Sequence, residues 1–522
     1  RFLSLSGYLS SLPITKNLIF LRCISMHLVL NSFRTAIFEC QDGSRVFQPE
    51  QNIPMVGAVV QILDTEPTKM VVNKDIDLAA EQDSLFVGGR LIRDENVPTF
   101  VRIEDFVRVH FGIFGFTGSG KSNLLSTYIA KLLGSPQVVK VVLFDLMGEY
   151  SVLLLDQLLQ KNINGQILTV GRQTLPEGLF KYINELQKAP MLDEATRQLE
   201  RYTLLPKALF KDRQFVTLGL RELIERKAIR FYQEAKSLTV YDVFFTNAIG
   251  WSKTRQKTKF DQRKNIVTTA LKTAEVLGNY KAVKFTPDLA KQIREAIEQE
   301  LTKPEAKEFK NDGDFANHIA KLEELEKTTA ESFAAGTSLD EIVEDLNNSE
   351  SSSLWIIQAH NPNELREFSK RLGEKVYEAR RQNGLVDPLV SFVFDEADEF
   401  IPSKTTGESY EASKAIVETL ARRGRKFGLG IGIATQRTRY LDTSIMAQPH
   451  TYLVSKLPRE SDREVVAEAF GVSKDMFRQT FKFKPGNWLL MSHDATGLKA
   501  IPVPIKTDDA NERLIKYLKT LT

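Results

Sequence analysis

The chain has 522 residues, with 70 Lys and Arg against 67 Asp and Glu, for a formal net charge of +3. Hydrophobic residues make up 42% and charged residues 26%, globular proportions that exclude a mainly disordered, fibrous or membrane-embedded chain. The length predicts about two to four domains, and so small a net charge makes any nucleic-acid surface a local concentration of basic side chains.

The opening stretch, RFLSLSGYLSSLPITKNLIFLRCIS, is apolar and basic, but Pro13, Lys16 and Arg22 interrupt it and no small-residue cleavage pattern follows. It therefore reads neither as an export leader nor as a membrane anchor; Arg1 and Met26 both stand as starts. Cys23 and Cys40 are the two cysteines, and none of the six histidines has metal-ligand spacing. Buried thiols in a reducing, cytoplasmic setting are expected, without a zinc site.

Between residues 28 and 107 the strand-type runs TAIFEC, SRVFQ, GAVVQIL, TKMVVN, DSLFVGG and TFVRI follow one another closely. They predict a small β-barrel or sandwich, assigned as an N-terminal β-barrel domain to residues 1–107. From 108 to 175 the texture changes to strand, glycine-rich turn, helix and strand, as in HFGIFG and VVKVVLFD, the order of a parallel α/β sheet. Residues 176–345 are polar and helical without a fixed repeat, and read as an insertion. Strand-type runs return over 346–507 in SSLWIIQ, LVSFVFDE, GLGIGIAT and HTYLVS, and residues 508–522 form a tail helix.

The most specific motif is GFTGSGKS, 115–122, a complete GxxxxGK[ST]. Gly115, Gly118 and Gly120 allow successive backbone N–H groups to turn toward a phosphate, and the following helix adds the positive end of its dipole. Lys121 is placed to reach the β- and γ-phosphates and Ser122 to hold Mg²⁺, with Thr117, Ser119 and Asn123 completing the nucleotide-binding set. An accidental glycine turn is the bland alternative, and the strand before and helix after weigh against it. ATP and Mg²⁺ are the implied ligands.

The run SFVFDEADEF, 391–400, is an apolar strand ending in acids. Asp395 suits the hold on Mg²⁺ and Glu396 the base that polarises an attacking water, although adjacent acids at a strand end are also common in solvated turns. Asp395 to Asp398 spell the DEAD sequence of an RNA helicase class. Too little chain follows to build the second domain such enzymes need, and the long insertion between Lys121 and Glu396 disagrees as well.

In ETLARRGRKFGLGIGIATQR, 418–437, Arg422, Arg423, Arg425 and Lys426 close a helix ahead of an apolar strand. Compensation of the helix dipole accounts for basic residues there. A ring ATPase also requires an arginine given across a subunit boundary and a polar strand-end residue that senses the γ-phosphate; Arg425 and Gln436 have those types in that order.

Taken together these motifs resemble the HerA family of hexameric DNA-translocating ATPases, relatives of FtsK and the conjugative coupling ATPases. VGGRLIRDENVPTFV, HFGIFGFTGSGKSN, LFDLMGEY, FVFDEADEF, GRKFGLGIGIATQR, PRESDREVV and PGNWLLMSHDATGLKAIPVPI carry the resemblance. It implies a RecA-like P-loop core with a helical insertion, behind a small N-terminal barrel that docks a partner. It also implies a homo-hexamer acting on double-stranded DNA beside a nuclease or sirtuin-like effector, in end processing or antiviral defence, with no membrane. Lys121, Glu396, Arg425 and Gln436 take catalytic roles in that reading, and Asp145 and Glu149 resemble acids beside the nucleotide; a turn built around Gly148 is their alternative. Phe116 and Thr438 depart from the family pattern. A ring scaffold whose ATP turnover regulates an effector is the competing function. For DNA contacts, WSKTRQKTKFDQRKN (251–265) and the loop IPSKTTGESY are candidates, a solvated helix face being the alternative for the first.

Overall fold

The computed structural model describes residues 64–521 apart from 172–173, 187, 234–256, scattered positions between 277 and 333, and 405–406. Before residue 64 it describes only the strands β1 (Ile19–Phe20), β2 (Ala36–Gln41) and β3 (Ser44–Pro49), paired antiparallel in the order β1-β2-β3. The segment GAVVQIL lies outside the described residues.

TKMVVN, read as a strand, belongs to helix α1 (Thr65–Val72). Pro67 sits in the first turn, where its missing N–H leaves no helix bond unmade. Asn73 closes the other end: its Nδ2 donates to Lys69 O and Pro98 O, both at 2.9 Å, and its Oδ1 accepts from Phe100 N–H. These tertiary bonds, with Val71 and Val72 buried, override the weak strand preference of the valines.

DSLFVGG and TFVRI form strands as expected, β4 (Leu85–Leu91) and β5 (Pro98–Arg102), but in the large sheet rather than in a separate barrel. Gly89 permits this, because a Cβ there would stand 2.9 Å from Lys506 O and 2.8 Å from the Ile505 side chain of the neighbouring strand. The sheet continues with β6 (Phe111–Phe114), β7 (Val139–Phe144), β8 (Ile163–Val170), β9 (Ile229–Tyr232), β10 (Ser352–Ala359), β11 (Leu389–Asp395), β12 (Leu429–Thr435), β13 (Thr451–Val454), β14 (Asn487–Ser492) and β15 (Val503–Lys506). Their spatial order is β9-β8-β10-β7-β11-β12-β6-β13-β14-β15-β4-β5. From β9 to β13 every pairing is parallel; the remainder to β5 is antiparallel.

Every residue of β6, β7, β11 and β12 is buried, as expected of parallel strands covered on both faces. Side chains alternate between two apolar cores: Val141 and Leu143 pack on one face with Leu124 and Ile129, while Val142 and Phe144 join Phe392, Phe394 and Ile433 on the other. The first face receives helix α3 (Lys121–Leu133). Because β6, β11 and β12 run parallel, the residues following them gather along one edge, where open α/β sheets bind ligands.

The helices expected to begin the insertion, α4 (Glu177–Ile183), α5 (Leu192–Tyr202) and α6 (Arg213–Glu225), bury Leu179, Leu199, Leu220 and Leu223 in the first core. They and β9 belong to the unit that carries the sheet, Arg1–Tyr232 with Leu339–Thr522, whereas Gln233–Ser338 is a compact unit of its own. Within that second unit α7 (Lys257–Thr273) and α8 (Pro287–Glu300) pack through Ile266, Leu271, Ile293 and Ile297. Of the basic run 251–265, residues 251–256 lie outside the described part. Arg263 is buried and Lys264 exposed, so the run is not one uniformly solvated face.

Candidate active site

The glycine-rich turn leaves β6 and opens α3. Gly115 N–H donates to Thr435 O at 3.4 Å and Phe116 N–H to Lys456 O at 2.9 Å, so the loop is strung between the ends of β12 and β13. Gly118 and Gly120 hold φ of 80° and 93°, left-handed values that side-chain-bearing residues rarely adopt. α3 then starts at Lys121 with no acid in its first turn, leaving its N-terminal N–H groups and dipole facing the loop.

Lys121 Nζ donates to Glu396 Oε1 at 2.9 Å and lies 3.5 Å from Asp395 Oδ1. Burial works against the lysine's charge, but the two carboxylates outweigh it and hold its ammonium above the ordinary value. Burial also raises the Glu396 carboxyl, with Lys121 partly offsetting it. Glu396 itself has φ 47° and ψ 54°, a left-handed backbone that costs a non-glycine residue on the order of 1–2 kcal/mol and turns its carboxylate out of the strand toward the lysine. The buried Asp395 Oδ1 and Ser119 Oγ make no hydrogen bond among the described residues. One is a hard anionic oxygen beside the lysine and the other a hydroxyl inside the loop, so the donor set fits a phosphate chain with Mg²⁺ held by Asp395 and Ser122.

β12 lies between the loop strand β6 and the acid strand β11, which brings Gln436 between the two motifs. Thr117 Oγ1 donates to Gln436 Oε1. Beside it, Thr435 Oγ1 donates to Asp398 Oδ1 at 2.7 Å, and Arg437 lies 3.8 Å from the same carboxylate. The four positions of DEAD therefore divide into two ligands of Lys121, a buried alanine and an acid that secures the end of β12. Asp398 was not singled out from the sequence, where only its place in that tetrapeptide marked it.

Other expected residues have different surroundings. Asn123 spends its side chain on helix α11 (Ala510–Leu518), donating to Asp509 Oδ1 at 2.6 Å and accepting from Ala510 N–H at 3.3 Å; only its backbone N–H is left for the loop. Asp145 is fully enclosed, its carboxylate accepting from the N–H groups of Gly148, Glu149 and Tyr150 and from Gln358 Nε2 at 2.9 Å. This is the turn built around Gly148, and burial lifts the Asp145 carboxyl to about 6. Glu149 is half-buried beside it. Gln358, which also donates to Ser151 Oγ at 2.8 Å, carried no sequence signal.

Arg425 stands elsewhere. It lies on the short turn Gly424–Phe427 that follows helix α10 (Glu408–Arg423) and precedes β12, at the end of that strand opposite Gln436. Seven residues of strand separate the two ends, roughly 23 Å, beyond the reach of its side chain. Arg422 is paired with Glu418 at 3.1 Å, as a dipole-compensating residue can be; Arg425 is exposed and has no ion-pair partner among the described residues.

A strand inserted between a phosphate loop and an acid pair, with a polar residue at its tip reaching both, is the layout of a P-loop ATPase, and the site defines this chain as one. The sequence profile described as "Helicase HerA, central domain" matches residues 86–365, more than half of the 522 residues. The chain belongs to the HerA helicase family. It is 24% identical over 456 residues to the DNA double-strand break repair helicase HerA of Saccharolobus solfataricus, covering 86% of this chain and 73% of that protein. To the probable DNA double-strand break repair helicase HerA of Methanocaldococcus jannaschii it is 23% identical, covering 82% and 76%. Among solved structures, VirB4 of Thermoanaerobacter pseudethanolicus is 14% identical with a TM-score of 0.38, covering 82% of this chain and 98% of that one.

Proposed function

We propose that the chain is the subunit of a homo-hexameric motor that couples ATP hydrolysis to translocation along double-stranded DNA, serving a nuclease or a defence effector. The observation that carries the reading is the division of the site between two edges of one sheet. Lys121, Ser122, Asp395, Glu396 and Gln436 gather at one edge, and Arg425, without an ion-pair partner among the described residues, stands at the other. A chain so built completes its chemistry only when a neighbour supplies the arginine, and repeated head-to-tail contacts of that kind close into a ring.

In that ring Lys121 exchanges its carboxylate partners for the β- and γ-phosphates when ATP enters, which frees Glu396 to accept a proton from the attacking water. Ser122 and Asp395 would hold Mg²⁺, which would supply neutralisation of the charge that develops on the phosphoryl group. Gln436, bonded to Thr117 of the phosphate loop, senses the γ-phosphate, and Asp398 holds the strand end that carries it. Glu399, three residues after Glu396, is gripped by Arg366 at 2.6 Å, and Arg366 also stacks on Tyr410. Lys404, exposed in the segment that follows Glu399, is the proposed contact to DNA phosphates. No helix among the described residues is long and apolar enough to cross a membrane.

The test is the ATPase rate with and without duplex DNA, on the chain alone and with the product of the adjacent gene. Stimulation by duplex DNA without a partner is expected. A rate indifferent to DNA would sink the motor and leave a ring scaffold that hydrolyses ATP to regulate its effector.

A further inference from the structure

The turn that carries Arg425 and the last turn of α10 that leads into it are held by three side chains that come from outside and end on main-chain carbonyls. His110 Nε2 donates to Ala421 O at 2.8 Å, in the last turn of α10, while its Nδ1 accepts from Ile431 N–H at 3.1 Å. Arg108 Nε donates to the carbonyl of Arg425 itself at 2.8 Å. Arg380, fully buried on helix α9 (Pro362–Asn383), donates to Phe427 O at 2.9 Å and is anchored by Asn347 Oδ1 and Leu346 O, both at 2.9 Å. A helix end leaves four carbonyls without intrahelical partners; His110 takes one of these, Ala421 O, and Arg108 and Arg380 take carbonyls of the turn that follows.

The packing allows little else. A Cβ at Gly424 would stand 2.8 Å from Leu429 O, and one at Gly428, where φ is 65°, would lie 1.8 Å from Val386 O. Arg108 ends helix α2 (Ile103–Arg108), where Glu104 pairs with it one turn earlier. His110, at φ 69°, immediately precedes β6, the strand that delivers the phosphate loop. The donors of Arg425's carrier therefore sit at the root of the strand whose tip binds the same subunit's nucleotide.

Building on the reading of Arg425 as an arginine given to a neighbour, we infer that Arg108 and His110 are positioning residues for it: they aim Arg425 outward and tie that aim to the strand carrying their own subunit's phosphate loop. Any displacement of β6 on ATP binding would shift the Arg108 and His110 donors and with them the arginine offered next door, a contiguous route for one site to bias another.

The assembled full-length chain tests this with Arg108→Leu, a partly exposed position where loss of a donor leaves the core intact, and Arg108→Lys, which restores a cationic donor. Arg108→Leu is expected to lower kcat at least tenfold with ATP affinity unchanged, and Arg108→Lys to recover part of it. Rings mixed with Lys121→Ala subunits, which carry an intact Arg425 but no working site, should regain turnover at Arg108→Leu sites. The double variant with Arg425→Ala should be no slower than Arg425→Ala alone. Wild-type turnover by Arg108→Leu while Arg425→Ala is slow overturns the inference, as does loss of ATP affinity or failure of mixing to rescue. Wild-type turnover by Arg425→Ala instead overturns the reading beneath it.

Discussion

Lys121 and Glu396, 275 positions apart in the chain, meet at 2.9 Å. Against burial, the Asp395 and Glu396 carboxylates hold the Lys121 proton more tightly, and Lys121 partly offsets the rise that burial gives the Glu396 carboxyl. Glu396→Gln is expected to keep nucleotide binding and lose turnover by a factor on the order of 10² to 10⁴, the usual share of a general base. Lys121→Ala should lose binding itself. Titration with a fluorescent ATP analogue and steady-state hydrolysis separate the two, and loss of binding by Glu396→Gln would refute the water-activating role.

Arg425→Ala should slow hydrolysis on the order of 10³- to 10⁵-fold, the range found for arginines supplied in trans. Because the residue lies at the far end of β12 from its own loop, subunits of Arg425→Ala mixed with Lys121→Ala should recover activity at mixed interfaces. Absence of recovery in rings shown to be mixed would make Arg425 a structural residue.

Gly428 and Gly384 both have φ 65°, but a Cβ at Gly384 meets nothing within 4 Å, whereas at Gly428 it would strike Val386 O. Gly384→Ala is expected to cost about 1 kcal/mol, the strain of the left-handed backbone. Gly428→Ala should cost roughly 2–4 kcal/mol, because overpacking against main chain is added. Urea unfolding of the two variants compares them directly; equal costs would show that the turn ahead of β12 yields freely.

His110 is enclosed, and burial lowers its pKa from 6.5 to about 4, opposed by the bond to Ala421 O; His450 and Arg425 act in the same direction as burial. The folded protein thus binds this proton less tightly than the unfolded chain. Stability from neutral His110 is complete above pH 6.5 and is lost as pH falls toward 4, a change of about 3 kcal/mol. His110→Asn tolerates the positive φ and does not titrate, so its stability curve should be flatter across that window. A curve of unchanged slope would assign the acid sensitivity to other groups.

Much of the site was legible because its chemistry requires particular residues at short spacing. A phosphate loop needs glycines at positive φ followed by Lys-Ser within eight residues, and an acid pair needs an apolar strand before it; both are local. The edges of the domains were less legible. TKMVVN has strand composition, yet Asn73 and its bonds across to Pro98 and Phe100 make it helical. The helices from Glu177 to Glu225 are polar on average, yet their buried leucines close the same core as the sheet. Pattern reports the composition of an element and is silent on which surface accepts it.

Sequence by itself determined that strands, loop and acids of a P-loop ATPase are present, since parallel central strands must be apolar throughout and catalytic residues must follow them. Tertiary structure alone decided the partnerships: that Lys121 waits on Glu396, that Asn123 turns to the C-terminal helix, that Asp145 is spent on a turn, and that Arg425 faces away from its own site. Those depend on the order of strands in the sheet, and strand order is set by long-range packing that no short window of sequence contains.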